Sequence, residues 1–347
     1  MRARKWVGER QQQRLIKQPG PTKQRLIAQI IIFLLLCTPS LAFVRPLIGG
    51  ALPYFLFFAE DTMTDKYILT LSCPDQPGIV AEVSALLAAA GCNIKTSDQY
   101  GDTETNRFFM RVAVEPINIA ISCVDLQERF RPLAEKFDME WAIHDANKPQ
   151  RVLIMASKFD HCLMDILYRK ERGALNMEVP AVISNHKDAY KLTASYDIQF
   201  HHWPVTPENK EAQEAKLLGL INEEQIDLIV LARYMQVLSN KACERLAGKV
   251  INIHHSFLPS FKGAAPYQQA HKKGVKLIGA TAHYVTADLD EGPIIEQNVA
   301  RVNHAMTGAD LVATGRDVER VTLAEALKLH LEHRVLLNGT KTVVFKH

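Results

Sequence analysis

Asn252 and His254 stand two residues apart in the run Val250-Ile251-Asn252-Ile253-His254, and Asp290 follows within Asp288-Leu289-Asp290-Glu291-Gly292-Pro293. An amide can donate from its NH₂, an imidazole can donate or shuttle a proton, and a carboxylate can charge the imidazole or accept a proton from water. Those are the groups acyl transfer needs: donors for a carbonyl oxygen and a path for a proton. Val250 to Ile253 alternates like a strand, so the side chains of residues 252 and 254 leave the same face. One strand end can therefore present both to one substrate. An Asn-x-His pair by itself is more often a satisfied polar pair, so the longer context has to separate the two roles.

That context is informative. The run from Ile251 to Pro266, INIHHSFLPSFKGAAP, and the run from His283 to Gln297, HYVTADLDEGPIIEQ, resemble the catalytic stretches of the folate-dependent formyltransferases in order and separation. The resemblance covers roughly residues 151 to 346. It implies that Asn252, His254 and Asp290 are the catalytic trio. His255 sits where many relatives carry proline and reads as structural. Arg233 to Ser239, RYMQVLS, resembles the segment whose backbone pairs with the pterin edge. That gives Met235, Gln236, Val237 and Leu238 as substrate-binding residues. Thr286 to Asp290, with Thr286 and Asp288 in contact, is the expected closing loop. Gln236 replaces the arginine usual in the transformylases, which removes a cation from the side of the glutamate tail.

The elements that must hold these residues alternate. Arg151 to Ala156, Val179 to Ser184 and Asp227 to Leu231 are apolar runs of strand length, and Glu208 to Asn222 is a helical pattern between strands. Strands separated by helices predict a Rossmann-like, mostly parallel sheet covered on both faces. Ligands gather at the carboxyl ends of such strands, where Asn252 and His254 fall. This half has no G-x-G-x-x-G, so the fingerprint of a nicotinamide enzyme is missing. Thr322-Leu-Ala-Glu325 has the pattern of a capping box. It predicts a late helix running to about Leu337, ended by Asn338-Gly339, with an edge strand from Lys341 to Phe345.

Residues 66 to 145 read as β-α-β-β-α-β, the ferredoxin-like α+β order. A hairpin turn is expected at Gly101-Asp102. The loop Cys73-Pro-Asp-Gln-Pro-Gly-Ile-Val80 resembles the first loop of the ACT regulatory domains. The resemblance implies an amino-acid site near Asp75, Gln76, Gly78, Ile79 and Asn93, with free N–H groups of a helix start meeting a carboxylate. Glycine or methionine, both tied to one-carbon metabolism, are the expected ligands. The module also implies a homo-oligomer. Its other role would be association alone.

What accepts the formyl group separates the relatives. The segment Ala156 to Asp165, ASKFDHCLMD, has no glycine with which to wrap a ribose phosphate, against a glycinamide ribonucleotide transformylase. Only 57 residues follow Asp290 and they show no basic stripe, against a methionyl-tRNA formyltransferase. An inactive amino-acid sensor would not need the intact trio. An ACT domain ahead of this catalytic domain resembles the formyltetrahydrofolate deformylases over residues 63 to 347. That implies hydrolysis of 10-formyltetrahydrofolate to formate and tetrahydrofolate, feeding formate to purine synthesis, with the folate as substrate and no cofactor.

Composition bounds the rest. With 41 basic and 38 acidic residues, the chain is not a nucleic-acid binder driven by bulk charge. Residues 1 to 62 carry nine basic and three acidic side chains, which leaves the remainder at −3. Cys37, Cys73, Cys92, Cys123, Cys162 and Cys243 show no C-x-x-C spacing and read as reduced thiols, and no Cys/His pattern suggests a metal. The uninterrupted apolar run Leu26 to Leu36 is short for a membrane helix, which needs about 20 residues. Met63 directly precedes the first strand. The expected organisation is thus a leader at 1–62, a non-native upstream extension or else a signal- or anchor-like segment, then an ACT-like domain at 63–146, a linker at 147–150 and the catalytic domain at 151–347. A cytoplasmic location follows; membrane association through residues 26–58 is the alternative.

Overall fold

The computed structural model describes residues 66–117, 121–257 and 266–346. The chain divides into two units, Met1–Asp61 and Thr62–His347, and the described residues all belong to the second. The leader, with its apolar stretch at 26–58, lies outside them. Among the described residues no helix is long and apolar enough to cross a membrane.

The first domain runs β1 (Tyr67–Pro74), α1 (Ile79–Ala89), β2 (Cys92–Asp102), β3 (Arg107–Pro116), α2 (Cys123–Lys136) and β4 (Glu140–Asp145). Its strands lie in the order β2-β3-β1-β4, with β1 antiparallel to both neighbours. Ile79, Val83 and Leu87, each four apart, bury one stripe of α1 against the sheet. Ser122 caps α2 by accepting the Asp125 N–H at 3.1 Å. The hairpin turn differs from expectation. Gly101 and Asp102 continue β2, and the turn is Thr103 to Asn106. The Asp102 carboxylate accepts from Glu104 N at 3.0 Å and Thr105 Oγ1 at 2.8 Å. Asn106 takes the left-handed conformation, φ 51°. A short polar side chain that can cap its own turn thus outweighs the glycine beside it.

The second domain begins with β5 (Gln150–Ala156), α3 (His161–Glu171), β6 (Met177–Glu178), β7 (Ala181–Ser184), α4 (Tyr190–Ala194) and β8 (Gln199–His202). It continues with α5 (Lys210–Glu223), β9 (Leu228–Ala232), α6 (Asn240–Arg245), β10 (Val250–His254), α7 (Pro266–Lys273), β11 (Leu277–Tyr284) and β12 (Ile294–Arg301). It closes with α8 (Gly308–Leu331), β13 (Val335–Asn338) and β14 (Lys341–Val344). The main sheet has the order β12-β11-β10-β9-β5-β7-β8, with β6 also on β5. Strands β10, β9, β5, β7 and β8 are parallel, and β11 and β12 are antiparallel additions. Burial on both faces explains the apolar runs. Val152, Ile154 and Ala156 enter one core while Leu153 and Met155 enter the other. Strand order reverses at β5, which has β7 on one side and β9 on the other. The crevice beyond β5 and β9 is thus the place such a sheet offers a ligand.

Helix α8 corrects two expectations. It starts at Gly308, where Thr307 and Asp310 form a reciprocal capping box. Thr322 lies inside it, fully buried, with its hydroxyl donating to the Val318 carbonyl at 2.8 Å. Thr322-x-x-Glu325 copies a cap in sequence only, because the helix interior satisfies the hydroxyl four residues back. The helix ends at Leu331 rather than Leu337. Asn338 instead ends β13, paired with Lys341, and Gly339-Thr340 turns the hairpin, with Gly339 at φ 59°.

The two domains meet at the end of α8. Arg111 of β3, almost fully buried, donates from Nη2 to Glu332 O at 3.0 Å and from Nε to His333 O at 3.1 Å. Those carbonyls are left over at the helix C-terminus, where a cation is favourable. His144 of β4 stacks on His333 at 3.6 Å, and Asn338 donates to Asp102 at 2.6 Å.

Gly315 lets α8 approach α7. A Cβ there would lie 2.1 Å from Cζ of the Tyr267 ring. Helix propensity favours alanine by about 1 kcal/mol, but overpacking opposes it by about 1–3 kcal/mol. The ring is tied to Glu319 by its hydroxyl at 2.7 Å and cannot swing away freely. Gly315→Ala is therefore expected to lower stability by a net ~1–2 kcal/mol. Urea unfolding measures this, and an unchanged or raised midpoint would contradict the packing argument.

Candidate active site

Strand β10 ends in the crevice with Asn252 and His254 on one face and Val250, Ile251 and Ile253 buried in the sheet. Asn252 lies opposite His283 of β11 and beside Leu231 of β9. The β11–β12 register slips between Ala282 and His283. Such a bulge bends a strand and re-aims the next side chain. Beyond β11 the chain turns back at Gly292, whose α-carbon faces the Tyr284 carbonyl. This reversal brings Asp290 to His254.

The pair is close. Asp290 Oδ1 lies 3.1 Å from His254 Nδ1. The hydrogen bond from His254 holds the Asp290 carboxyl below its ordinary range, against the opposing effect of partial burial. A carboxylate accepts only, so Nδ1 carries a proton and Nε2 is the edge left for exchange. Nε2 meets the Ser256 hydroxyl at 2.8 Å. Asp290 adopts φ 59°, an uncommon conformation for a residue with a side chain.

His283 orients the amide. Its Nδ1 lies 2.9 Å from the Tyr284 carbonyl, which can only accept, so Nδ1 donates. Burial pushes this imidazole toward its neutral form. Nε2 then has a lone pair for an N–H of Asn252, 3.3 Å away. One hydrogen of the Asn252 amide is thereby fixed, and the other is free for a substrate oxygen. His255 is different: burial first, and then the Arg233 and His254 charges, push it down to about 4. A neutral, half-buried ring fits a packing role.

The trio lines a cavity of about 270 Å³ that also includes Met235, Gln236, Val237, Leu238, Thr286 and Asp288. All the expected substrate-binding residues thus border one space. Met235 and Val237 are 55% and 56% exposed, apolar surface that a flat ring can cover. Ser157, just past β5, accepts from Met235 N at 3.0 Å and donates to Asn185 at 2.6 Å, so it fixes this segment. The Thr286 hydroxyl donates to Asp288 O at 3.0 Å within the opposite wall. Behind the cavity, Glu319 accepts from Tyr267 at 2.7 Å, meets His161 at 2.8 Å and pairs with Arg233 Nε at 3.3 Å. His161, Cys162 and Glu319 also bring three ligand-type atoms within 4.8 Å of one another. Glu319 is already engaged there, and Arg233 would repel a cation. The sequence reading assigned no role to Ser157, Ser256, His283 or Glu319. Ser256 and His283 fall within the two catalytic-type runs and Ser157 within the segment after β5, whereas nothing in the sequence pointed to Glu319.

The regulatory-type residues lie elsewhere. Asp75, Gln76, Gly78 and Asn93 are exposed on the first domain, and Ile79 is buried. Gly78 is the N-cap of α1 with φ 98° and has no side chain to bond the first N–H groups. Cys73, Cys92, Cys162 and Cys243 are buried free thiols and Cys123 is partly exposed; Cys37 lies outside the described residues.

Residues 67–120 match the ACT domain family and residues 150–327 match the formyl transferase family. The chain is 48% identical to the formyltetrahydrofolate deformylase of Synechocystis sp. over 277 residues, 80% of this chain and 97% of that protein. It is similar to the crystal structure of the formyltetrahydrofolate deformylase from Burkholderia mallei, with TM-score 0.78 and 50% identity over 81% of this chain and 100% of that one. The corresponding structure from Pseudomonas syringae pv. tomato gives TM-score 0.80 and 45% identity over 84% and 97%.

Gly292 gives this geometry a direct test. A Cβ there would stand 1.7 Å from the Tyr284 carbonyl oxygen and 3.2 Å from His283 Nδ1. Gly292→Ala must therefore push the Asp290 turn off β11 and lengthen the 3.1 Å contact. Displacements of about 1 Å at reacting groups can cost about 10²-fold. Turnover should fall by roughly that factor while circular dichroism stays native. Full turnover in this variant would show that the close approach does not set the position of Asp290.

Proposed function

The chain belongs to the formyltetrahydrofolate deformylases, hydrolases that split formyltetrahydrofolate into formate and tetrahydrofolate, and from that premise we propose that Asn252, His254 and Asp290 carry the hydrolysis. The 3.1 Å contact of His254 with Asp290, on a cavity wall shared with Asn252, is the observation that carries this assignment. Asn252 and protonated His254 donate to the formyl oxygen as water adds to the carbon. Preorganised donors of this kind are worth about 3–4 kcal/mol each. Asp290 stabilises the imidazolium and orients the water. A carboxyl held below its ordinary range suits that role better than storing a proton. The C–N10 bond then breaks, N10 takes a proton, and formate leaves.

The apolar wall of Met235, Val237 and Leu238 covers the pterin, Gln236 borders it, and the segment from Thr286 through Asp288 closes over it. Water is the acceptor because the segment past β5, Ala156 to Asp165, has no glycine with which to wrap a ribose phosphate. His161 reaches Glu319, and Phe159 lies against Arg233 and Arg316, with ring-to-guanidinium distances of 6.0 and 5.0 Å. The domain limits are 63–146 and 151–347 about the 147–150 linker, whose last residue, Gln150, already opens β5, and the location is cytoplasmic, where reduced folates are used. No metal or nucleic acid takes part. Asp290→Asn keeps the side chain's size and removes its charge. Turnover in a formate-release assay should fall by at least ~10²-fold; near-normal turnover would make Asp290 structural.

The ACT domain takes a small molecule. Its ligand is an amino acid such as glycine or methionine, at Asp75, Gln76, Gly78, Ile79 and Asn93, in a homo-oligomer whose ACT domains adjoin. Its carboxylate meets the uncapped start of α1. Binding alters turnover by favouring one arrangement of subunits. Titrating the enzyme with each amino acid by calorimetry and by rate is expected to reveal one that does both. Neither heat nor rate change with any of them would reduce this domain to an assembly element.

A further inference from the structure

His255 borders the same cavity as the trio, and the hydrolysis described above gives it no part. Successive strand residues point to opposite faces, but β10 ends at His254 and the chain bends at His255 and Ser256. The bend brings two neighbouring imidazoles to one space, with ring centres 5.1 Å apart. Tyr267 lies edge-on to the His255 ring at 6.3 Å, and its hydroxyl is tied to Glu319. Packing thus gives the ring a fixed place. It leaves the ring nitrogens unused. Among the described residues neither nitrogen has a hydrogen-bond partner, and neither belongs to the side-chain atoms that are both unpartnered and sealed from solvent. A ring nitrogen that is unbonded and not sealed meets water in the cavity.

The charge state suits an acceptor. Burial first, and then the Arg233 and His254 charges, keep the ring neutral; Glu319 and Asp290 act the other way and are outweighed. A neutral imidazole has one lone pair to offer, whereas a protonated one only donates. The attacking water needs such a partner. Both of its hydrogens must be taken for a lone pair to aim at the formyl carbon, and Asp290 takes one. Two hydrogen bonds of about 2.8 Å let one water bridge groups up to about 5.6 Å apart. Asp290 and His255 both adjoin the His254 ring, the first at 3.1 Å from Nδ1 and the second at 5.1 Å between ring centres.

We propose that His255 is the second anchor of the attacking water, accepting one of its hydrogens through the ring nitrogen that carries no proton while Asp290 accepts the other. The proposal rests on the deformylase activity and adds to the trio a residue that touches a reacting molecule. The water oxygen forms its bond to the formyl carbon as the carbonyl pair moves onto the oxygen held by Asn252 and His254. One water proton reaches N10 through the Asp290–His254 pair as the C–N10 bond breaks. The other leaves with formic acid, which ionises to formate. His255 accepts a hydrogen bond and keeps no proton.

The natural full chain is compared with His255→Phe, His255→Leu and His255→Gln. Phenylalanine keeps an aromatic ring against Tyr267 and removes the acceptor. Leucine is a second acceptor-free side chain of similar size, and glutamine restores an acceptor oxygen without the ring. Initial rates of formate release give kcat and KM. Tetrahydrofolate binding by calorimetry reports a folded, competent cavity without needing turnover. Both acceptor-free variants are expected to lose at least about 30-fold in kcat, with KM and tetrahydrofolate affinity within about threefold of the natural values. His255→Gln is expected to turn over at least about threefold faster than either. A ring that serves packing alone gives the opposite order, with His255→Phe the most active, and that order overturns the proposal. Equal losses in all three variants also overturn it. So does a fall in tetrahydrofolate affinity that matches the fall in rate, which would assign His255 to folate binding. A natural protein that releases no formate refutes the hydrolase assignment, and the proposal with it; normal release by both the natural protein and His255→Phe refutes the proposal alone.

Discussion

The contact between His254 and Asp290 sets the demands on the structure around it. The two residues come from different segments, and a 3.1 Å approach leaves little tolerance. Strand β10 has to end where it does, so that Asn252 and His254 clear the sheet together. Strand β11 has to return antiparallel beside it, slip register at His283, and reverse through a residue without a side chain at Gly292. Asp290 then accepts a left-handed backbone that costs of order 1–3 kcal/mol. The surrounding sheet, buried on both faces, holds that conformation in place.

A second constraint lies behind the first. Burial alone would push the Glu319 carboxyl up, but His161, Arg233 and Tyr267 together hold it below its ordinary range. These partners come from α3, the end of β9 and α7, while Glu319 itself is on α8. Removing one partner of a buried charge is costly, so the four segments are tied together. The tie fixes the start of the Arg233 to Ser239 segment, and Ser157 fixes its Met235 backbone from β5. This cavity wall thus inherits its position from two polar anchors. The apolar side chains that face the cavity need not specify it.

The legibility of the sequence follows the same physics. The alternating apolar runs of β5, β7 and β9 and the Asn252/His254 pair express local rules, and their elements fall within about two residues of expectation. Two long runs pointed to Asn252, His254 and Asp290 and a third, Arg233 to Ser239, to Met235 through Leu238, and all of these border one cavity. Thr322-Leu-Ala-Glu325 and Asn338-Gly339 were misplaced because each pattern fits two local structures. Packing decides between them: Thr322 is buried within α8, and β14 is present to pair with β13. His283, Ser256 and Glu319 act through partners 31, 2 and 158 residues away. Spacing alone identified none of these contacts.

Helix α8 touches both the regulatory-type sheet and the catalytic one. Its C-terminal carbonyls accept from Arg111 on β3, and the His330 ring meets the Tyr284 hydroxyl on β11 at 2.7 Å. About three helix turns upstream, Glu319 braces the cavity. Burial pushes the His330 imidazole down to about 4 and His333 to about 3, with neighbouring histidines, and for His333 also Arg111, adding to the effect. These rings therefore stay neutral in a junction whose charges are Arg111, with Asp98 at 3.8 Å, and the Asp102 carboxylate held by Asn338. Contiguity of this kind is a physical connection, and it becomes regulation when a ligand prefers one of two positions of the ACT sheet. A shift of the Arg111 strand would move the end of the helix that carries Glu319, and through Glu319 the residue that begins this cavity wall.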